Sequence, residues 1–261
     1  MNDVYYESIK DTNGKLYAEI QNEYFGRDHF HRAYEIAYIF DGNSRYIIDG
    51  ENIWADTDNI VFAHCYYRHR SLDTNRCRKY VIAIPENLSR DVSSLLKNTT
   101  LPALMPDKEF NKLLLPYFKA LTETNSDTSE IILKGYINLI FGFLAKHYES
   151  RSISPKSKDV SIMIDILNYI DMHIEERLSL EDIAKNFGYN KSYFSRFFNK
   201  YVGISLSDYI NFARLNRFEY LSRECPDKSI TELVYKSGFQ SLATFYRTRS
   251  ARNQNKNTKF S

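Results

Sequence analysis

The chain has 261 residues, 43% of them hydrophobic and 15% aromatic, with a formal net charge of +2, which is material for about two packed domains. No apolar run is long enough to span a bilayer, and the start Met1-Asn2-Asp3-Val4-Tyr5 lacks the basic and apolar regions of a signal peptide, so a cytoplasmic protein is expected. Cys65, Cys77 and Cys225 are odd in number and lack metal-ligand spacing, which reads as reduced thiols rather than a disulfide framework or a cysteine metal site.

In chain order, residues 1–106 carry short β-rich stretches such as Tyr34–Phe40 and Arg45–Ile48. Turn signals separate them at Asn13-Gly14, Asp41-Gly42-Asn43 and Asp49-Gly50. This predicts a small all-β barrel or sandwich. His29 and His31 stand two apart, on one face of a strand, with Glu35 four further on and His69 to come from another strand. The spacing His29-x-His31-x3-Glu35-x6-Gly42 resembles that of cupin barrels, in which such a set converges on iron, manganese or zinc. A pocket lined by polar groups without metal and ordinary barrel packing are the other readings. Tyr34, Tyr38, Tyr46, Trp54, Tyr66 and Tyr67 suit stacking on a sugar ring and equally suit filling a barrel. Arg68 and Arg70 are expected near the barrel mouth, as solvated charges or partners of an acidic ligand.

Residues 107–149 turn to a helical period. Their apolar positions (Leu113, Leu114, Phe118, Ile132, Tyr136, Leu139, Ile140, Phe143) exceed one helix-on-barrel contact, so part is expected to pack on the barrel and part to form a two-fold homodimer interface. Residues 150–158 are polar, contain Pro155 and read as a linker. Residues 159–261 read as all-α. The expected fold class is thus multi-domain α and β, a cupin-like β-barrel with helices followed by a tandem helix-turn-helix domain.

The last hundred residues contain one pattern twice. Ser179-Leu-Glu-Asp-Ile-Ala-Lys-Asn-Phe-Gly188-Tyr returns fifty positions later as Ser229-Ile-Thr-Glu-Leu-Val-Tyr-Lys-Ser-Gly238-Phe. Ser179 with Asp182 resembles a capping box, and Ser229 with Glu232 forms a full one. Gly188 and Gly238 supply the turns, and Asn190 caps the helix that follows the first. Ser205 caps a long helix to about Arg223, from which Arg214, Arg217 and Arg223 project, and which holds the two copies at fixed separation. From residue 160 onward there are 15 Lys/Arg against 11 Asp/Glu, and from Lys236 to Ser261 six basic residues and no acidic one, which places polyanion binding in this part.

Leu180-x-x-Ile183-Ala184-x-x-x-Gly188-Tyr189, Ser192-Tyr-Phe-Ser-Arg196-x-Phe198, Gly203-Ile-Ser205 and the repeat from Gly238-Phe239 to Phe245-x-Arg247 resemble the AraC/XylS family of bacterial transcription regulators. The resemblance implies two recognition helices in the major groove of double-stranded DNA. Ser192, Ser195 and Arg196 of the first, and Leu242, Ala243, Tyr246 and Arg247 of the second, would meet bases, while Lys191, Asn199 and Lys200 suit phosphates. It also implies that the barrel senses a small molecule, with a sugar the favoured class. His29, His31, Glu35, Tyr38, Trp54 and His69 would then be pocket contacts, with no metal, no cofactor and no enzymatic activity. RNA polymerase contact and an activating role follow from the resemblance alone. The alternative is a metal-dependent cupin enzyme fused to a DNA-binding domain. The pattern departs from the family after Arg247, where Arg249-Ser250 replaces an apolar position. Val234 stands where the first copy has Ala184. A frayed basic tail is therefore expected.

Overall fold

The computed structural model describes residues 5–6, 16–22, 26, 28–86, 88–124, 128–153 and 158–257; the Asn13-Gly14 turn and Pro155 lie outside them. The chain divides into two compact units, Met1–Lys156 and Ser157–Ser261.

The first unit is built on β1 (Tyr5–Tyr6), β2 (Tyr17–Asn22), β3 (His29–Phe30), β4 (Tyr34–Ile48), β5 (Glu51–Asp56), β6 (Ile60–Ala63) and β7 (His69–Ile84). After α1 (Arg90–Leu95) come β8 (Thr99–Thr100) and β9 (Leu104–Met105). Next are α2 (Lys108–Lys112), α3 (Leu115–Thr122), α4 (Glu130–His147) and β10 (Arg151–Ser152). Eight strands form one sheet in the order β1-β3-β7-β4-β6-β9, with β2 also on β7 and β5 also on β4. The pairing β10-β8 holds Arg151 and Ser152, read as linker from their polarity, against the first unit.

The long strands β4 and β7 pair twice. Tyr34–Ile39 of β4 lies against Lys79–Ile84, and Asn43–Ile48 against His69–Asn75, with the register shifting between Ile39 and Ser44. Gly42 makes that irregularity possible: its φ is +81°, and an added Cβ would sit 2.6 Å from the Arg76 carbonyl oxygen. The two arms roll the sheet about a common interior filled by Ala37, Ile39, Tyr46, Ile48, Ile53, Ala55, Val61, Ala63, Cys77 and Val81. Among the described residues β1 and β9 do not pair, so the roll is open along that seam. The opposite face of the first arm carries Tyr38 and Phe62, which meet Phe118 of α3 and Phe141 of α4 at ring centroid distances of 5.4 and 5.9 Å. Burying each such ring contributes about 1.5–3 kcal/mol.

The second unit is all-helical: α5 (Lys158–Met172), α6 (Leu180–Asn186), α7 (Lys191–Val202), α8 (Leu206–Glu224), α9 (Ile230–Lys236) and α10 (Leu242–Asn257). Ser179, Asn190, Ser205 and Ser229 each accept a backbone N–H at the start of their helix. The capping box at Ser229 is complete, and the Ser229 backbone N–H, its hydroxyl and Lys228 hold the Glu232 carboxyl below the usual range. Gly188 and Gly238 have φ of +73° and +96°. Ile183, Ala184, Phe194, Phe198 and Val202 are buried in the first half, and Leu215, Phe218, Leu221, Leu233, Val234, Phe239 and Phe245 form the core of the second, where Val234 is fully enclosed.

Two details differ from the sequence reading. Arg249 is exposed and α10 continues to Asn257, because the helix turns this residue outward and never has to bury it. Arg214 does not project: it is 6% exposed, and its guanidinium donates to the carbonyls of Ile174 at 3.0 Å and Glu176 at 2.6 Å. Gly238 packs on the same spot, where an added Cβ would lie 2.1 Å from the Ile174 oxygen and 2.9 Å from Arg214 Nε. Arg217 pairs with Glu175 beside it. The segment after α5, the long helix α8 and the turn of the second helix pair thus meet at one junction.

Candidate nucleic-acid interface and buried histidine cluster

The helix α7 presents Lys191, Ser192, Arg196, Asn199 and Lys200 to solvent, with Ser195 half-buried between them. Its aromatic residues sort by face: Phe194, Phe197 and Phe198 go inward, while Tyr193 lies over Tyr189 and Phe197. Lys191 is 3.8 Å from Glu181. Among the described residues Arg196 forms no ion pair, and no acidic residue occurs in α7. In α10, Ala243, Tyr246 and Arg247 are exposed, whereas Leu242, read as a base contact from the sequence, is half-buried and packs against the second core. Ser241, not singled out from the sequence, accepts the Thr244 N–H at 3.2 Å and caps α10; its place three residues before Thr244 is the signal that could have found it. Neither helix carries a carboxylate, so both faces suit a polyanion. The connecting α8 has 19 residues and so spans about 28 Å. That is of the order of one turn of duplex.

The second site lies inside the rolled sheet. His29 and His69 are register partners across β3 and β7. Their ring centroids are 4.3 Å apart, and His31 lies 4.9 Å from His69. Glu35, four residues beyond His31 on β4, places Oε2 3.2 Å from His31 Nε2 and 3.6 Å from His69 Nε2. One donor atom from each of the four residues lies within 4.8 Å of all the others. The three imidazoles are buried, and the Glu35 side chain is 12% exposed. The Nδ1–H of His31 donates to the Ala33 carbonyl at 2.9 Å and that of His69 to the Tyr67 carbonyl at 2.8 Å. Asp28, next to His29, is buried and held by Arg68 and by Arg70, the latter at 3.4 Å. Both arginines are thus engaged by the protein itself. Three imidazoles and a carboxylate are a donor set that divalent first-row metals accept.

Tyr38 and Trp54, read as contacts of the same pocket, are elsewhere. Tyr38 is on the opposite face of β4 from Glu35 and donates its hydroxyl to Asp58 at 2.8 Å; burial, and then that hydrogen bond, push the phenol above its usual range. Trp54 is 57% exposed because β5 turns Ile53 and Ala55 inward and everything between them outward. The small cavity beside the cluster is lined instead by Glu35, Ala37, Tyr46, Ile48, Val61, Ala63 and His69, with room for about one water molecule. Lys79, buried with Nζ 3.1 Å from Ser71 Oγ and 5.0 Å from the Tyr46 ring centre, adds a charge in the interior that no sequence signal had marked.

These motifs and their geometry define the second unit as a tandem helix-turn-helix domain. Residues 174–252 match the family described as "Helix-turn-helix domain". The chain is 34% identical over 87 residues to the Transposon Tn10 TetD protein of Escherichia coli, covering 33% of this chain and 62% of that protein. It is 23% identical over 191 residues, 73% of this chain, to an uncharacterized HTH-type transcriptional regulator of Staphylococcus aureus, of whose length the match spans only 22%. Among solved structures, a point variant of apo ToxT from Vibrio cholerae is 16% identical with a TM-score of 0.45, over 89% of this chain and 92% of that one. The AraC-like transcriptional activator CuxR is also 16% identical, with a TM-score of 0.41, over 79% and 72%. The S. aureus relative is named as a transcriptional regulator. No helix among the described residues is long and apolar enough to cross a membrane.

Proposed function

We propose that the chain is a one-component transcription regulator in which the second unit reads double-stranded DNA and the first unit senses a small ligand. The observation that carries it is the pair of exposed, carboxylate-free helices α7 and α10, tied together through α8. Arg196 and Arg247 are the base-reading arginines, with Ser192, Ser195, Ala243 and Tyr246 beside them, and Lys191, Asn199 and Lys200 hold phosphates. The reading extends to an activating role with polymerase contact, which rests on resemblance, and to a homodimer formed along α4, whose outer side exposes Ile131, Ile132, Leu139 and Phe143. A ligand regulates only if it binds the active and inactive states with different affinity. The water-sized space beside the histidine cluster favours an ion or a molecule of few atoms there over the sugar expected from the sequence. The test is footprinting of the full-length protein on genomic fragments in the presence of random competitor. The expected outcome is protection of two segments about 10 base pairs apart. Equal occupancy of all sequences at moderate salt overturns the proposal.

A further inference from the structure

We infer that Arg214 is a positioning residue for DNA reading: with Gly238 it clasps the main chain of 174–176 and so fixes the distance between α7 and α10. That distance decides which separation of two base segments the chain accepts. This role rests on the regulator reading and adds to it the residue that sets its geometry. The helix α8 holds one helix pair at each end. Tyr209 meets Phe198 of α7 at a ring centroid distance of 5.7 Å, and Phe218 meets Phe245 of α10 at 4.5 Å. Apolar contacts are non-directional and by themselves define no angle, so each pair could rock on its own contact. A third tie removes that freedom. The segment 173–178 supplies it, because it leads straight into Ser179, the cap of α6 in the first pair. Gly238 of the second pair lies against the Ile174 oxygen of this segment, and Arg214, midway along α8, bonds to the same oxygen. The triangle of first pair, second pair and α8 is thereby closed.

The chemistry of the clasp requires arginine. Its Nε–H donates to the Ile174 carbonyl at 3.0 Å and an Nη2–H to that of Glu176 at 2.6 Å. These oxygens stand just beyond the C-terminal end of α5 at Met172, where the helix dipole favours a cation. Burial disfavours the guanidinium charge and lowers its pKa, a cost that the two carbonyl bonds offset. A planar fork with two fixed donors sets direction as well as distance, which a lysine ammonium on its flexible stem does not. Gly238, with φ of +96°, leaves no space between turn and clasp: an added Cβ would lie 2.1 Å from the Ile174 oxygen and 2.9 Å from Arg214 Nε. At the equivalent place in the first pair, an added Cβ on Gly188 meets nothing within 4 Å. One turn further along α8, Arg217 reaches Glu175 of the same segment, but this pair is solvated and contributes little to the angle.

The experiment uses the full-length protein and duplexes that carry the two footprinted segments at their native separation, or with one base pair added or removed between them. One base pair moves a segment by about 3.4 Å and turns it by about 35°. Wild type is expected to lose at least about tenfold in affinity at either altered separation. Arg214→Lys and Gly238→Ala, checked for folding by circular dichroism, should lose less than about threefold there, and should bind a duplex with one segment alone as wild type does. Gly188→Ala introduces strain without touching the clasp and should keep the wild-type discrimination. A wild type indifferent to separation overturns the inference without any variant. So does undiminished discrimination in folded Arg214→Lys, or a loss equal on every duplex, which marks a merely structural role. A second readout needs no DNA: single-molecule energy transfer between dyes on non-natural residues at Asn199 and Ser250, equivalent exposed positions of α7 and α10. Wild type should give one narrow transfer efficiency and Arg214→Lys a broadened one, and equal widths overturn the clasp. The two readouts separate the two readings. No preference for any duplex, with widths that differ as expected, removes the regulator and leaves the clasp, while sequence preference with equal widths does the reverse.

Discussion

Gly188 and Gly238 occupy the same place in the two copies of the helix-turn-helix, both with positive φ, yet they do different work. An added Cβ at Gly188 meets nothing within 4 Å, whereas at Gly238 it runs into the Ile174 oxygen. Gly188→Ala is therefore expected to cost only backbone strain, about 1–2 kcal/mol. Gly238→Ala adds a backbone collision and should cost about 1–2 kcal/mol more. Urea midpoints of the two variants at unchanged m-value measure the difference, and equal midpoints would contradict the close packing of Gly238 on Ile174. On the proposed reading of α7, Arg196→Ala should weaken specific DNA binding by about 1–3 kcal/mol and relax base preference. Lys200→Ala should lower affinity on all sequences and reduce the salt slope by about one. Equal losses of Arg196→Ala on specific and random duplex would remove its base-reading role.

At the scale of elements, α4 carries an exposed apolar side. Ile137, Ile140, Phe141 and Leu144 are buried, while Ile131 is 82% exposed and Ile132, Leu139 and Phe143 are open on the far side. Gly135 and Gly142, with nothing within 4 Å of an added Cβ, leave room for a second helix to come close. A Leu139→Glu, Phe143→Glu double variant is expected to keep its circular dichroism spectrum and to convert a dimer into a monomer in light scattering. A wild type that is already monomeric at micromolar concentration sinks the dimer. The helices of the second unit were the most legible elements, since Ser179, Asn190, Ser205 and Ser229 are local signals that act within four residues. The strands were less so. Within β4 the interior residues are Glu35 and Ala37 in the first arm but Tyr46 and Ile48 in the second, so inward parity flips at the Gly42 irregularity. That flip is not visible in alternation alone, which is why Tyr46 was no clearer a pocket residue than Tyr38 or Trp54.

At the scale of the whole chain, spacing carried two long-range statements: the fifty-residue repeat and the His29, His31, Glu35 and His69 set. Both are legible because each needs only the period of a helix or a strand. The role of Arg214 was not legible, because its partners are backbone carbonyls of Ile174 and Glu176, about forty positions away, and a carbonyl leaves no mark in a sequence. Lys79 was hidden for a similar reason, since a lysine in a strand is ordinarily read as an outer residue.

The junction at Ile174 has an evolutionary consequence. The second helix pair is keyed to a main-chain oxygen, which no point substitution at position 174 can delete, through a glycine and an arginine that lie outside α7 and α10. On the proposed reading, the exposed side chains of α7 and α10 can change toward new operators without disturbing that junction.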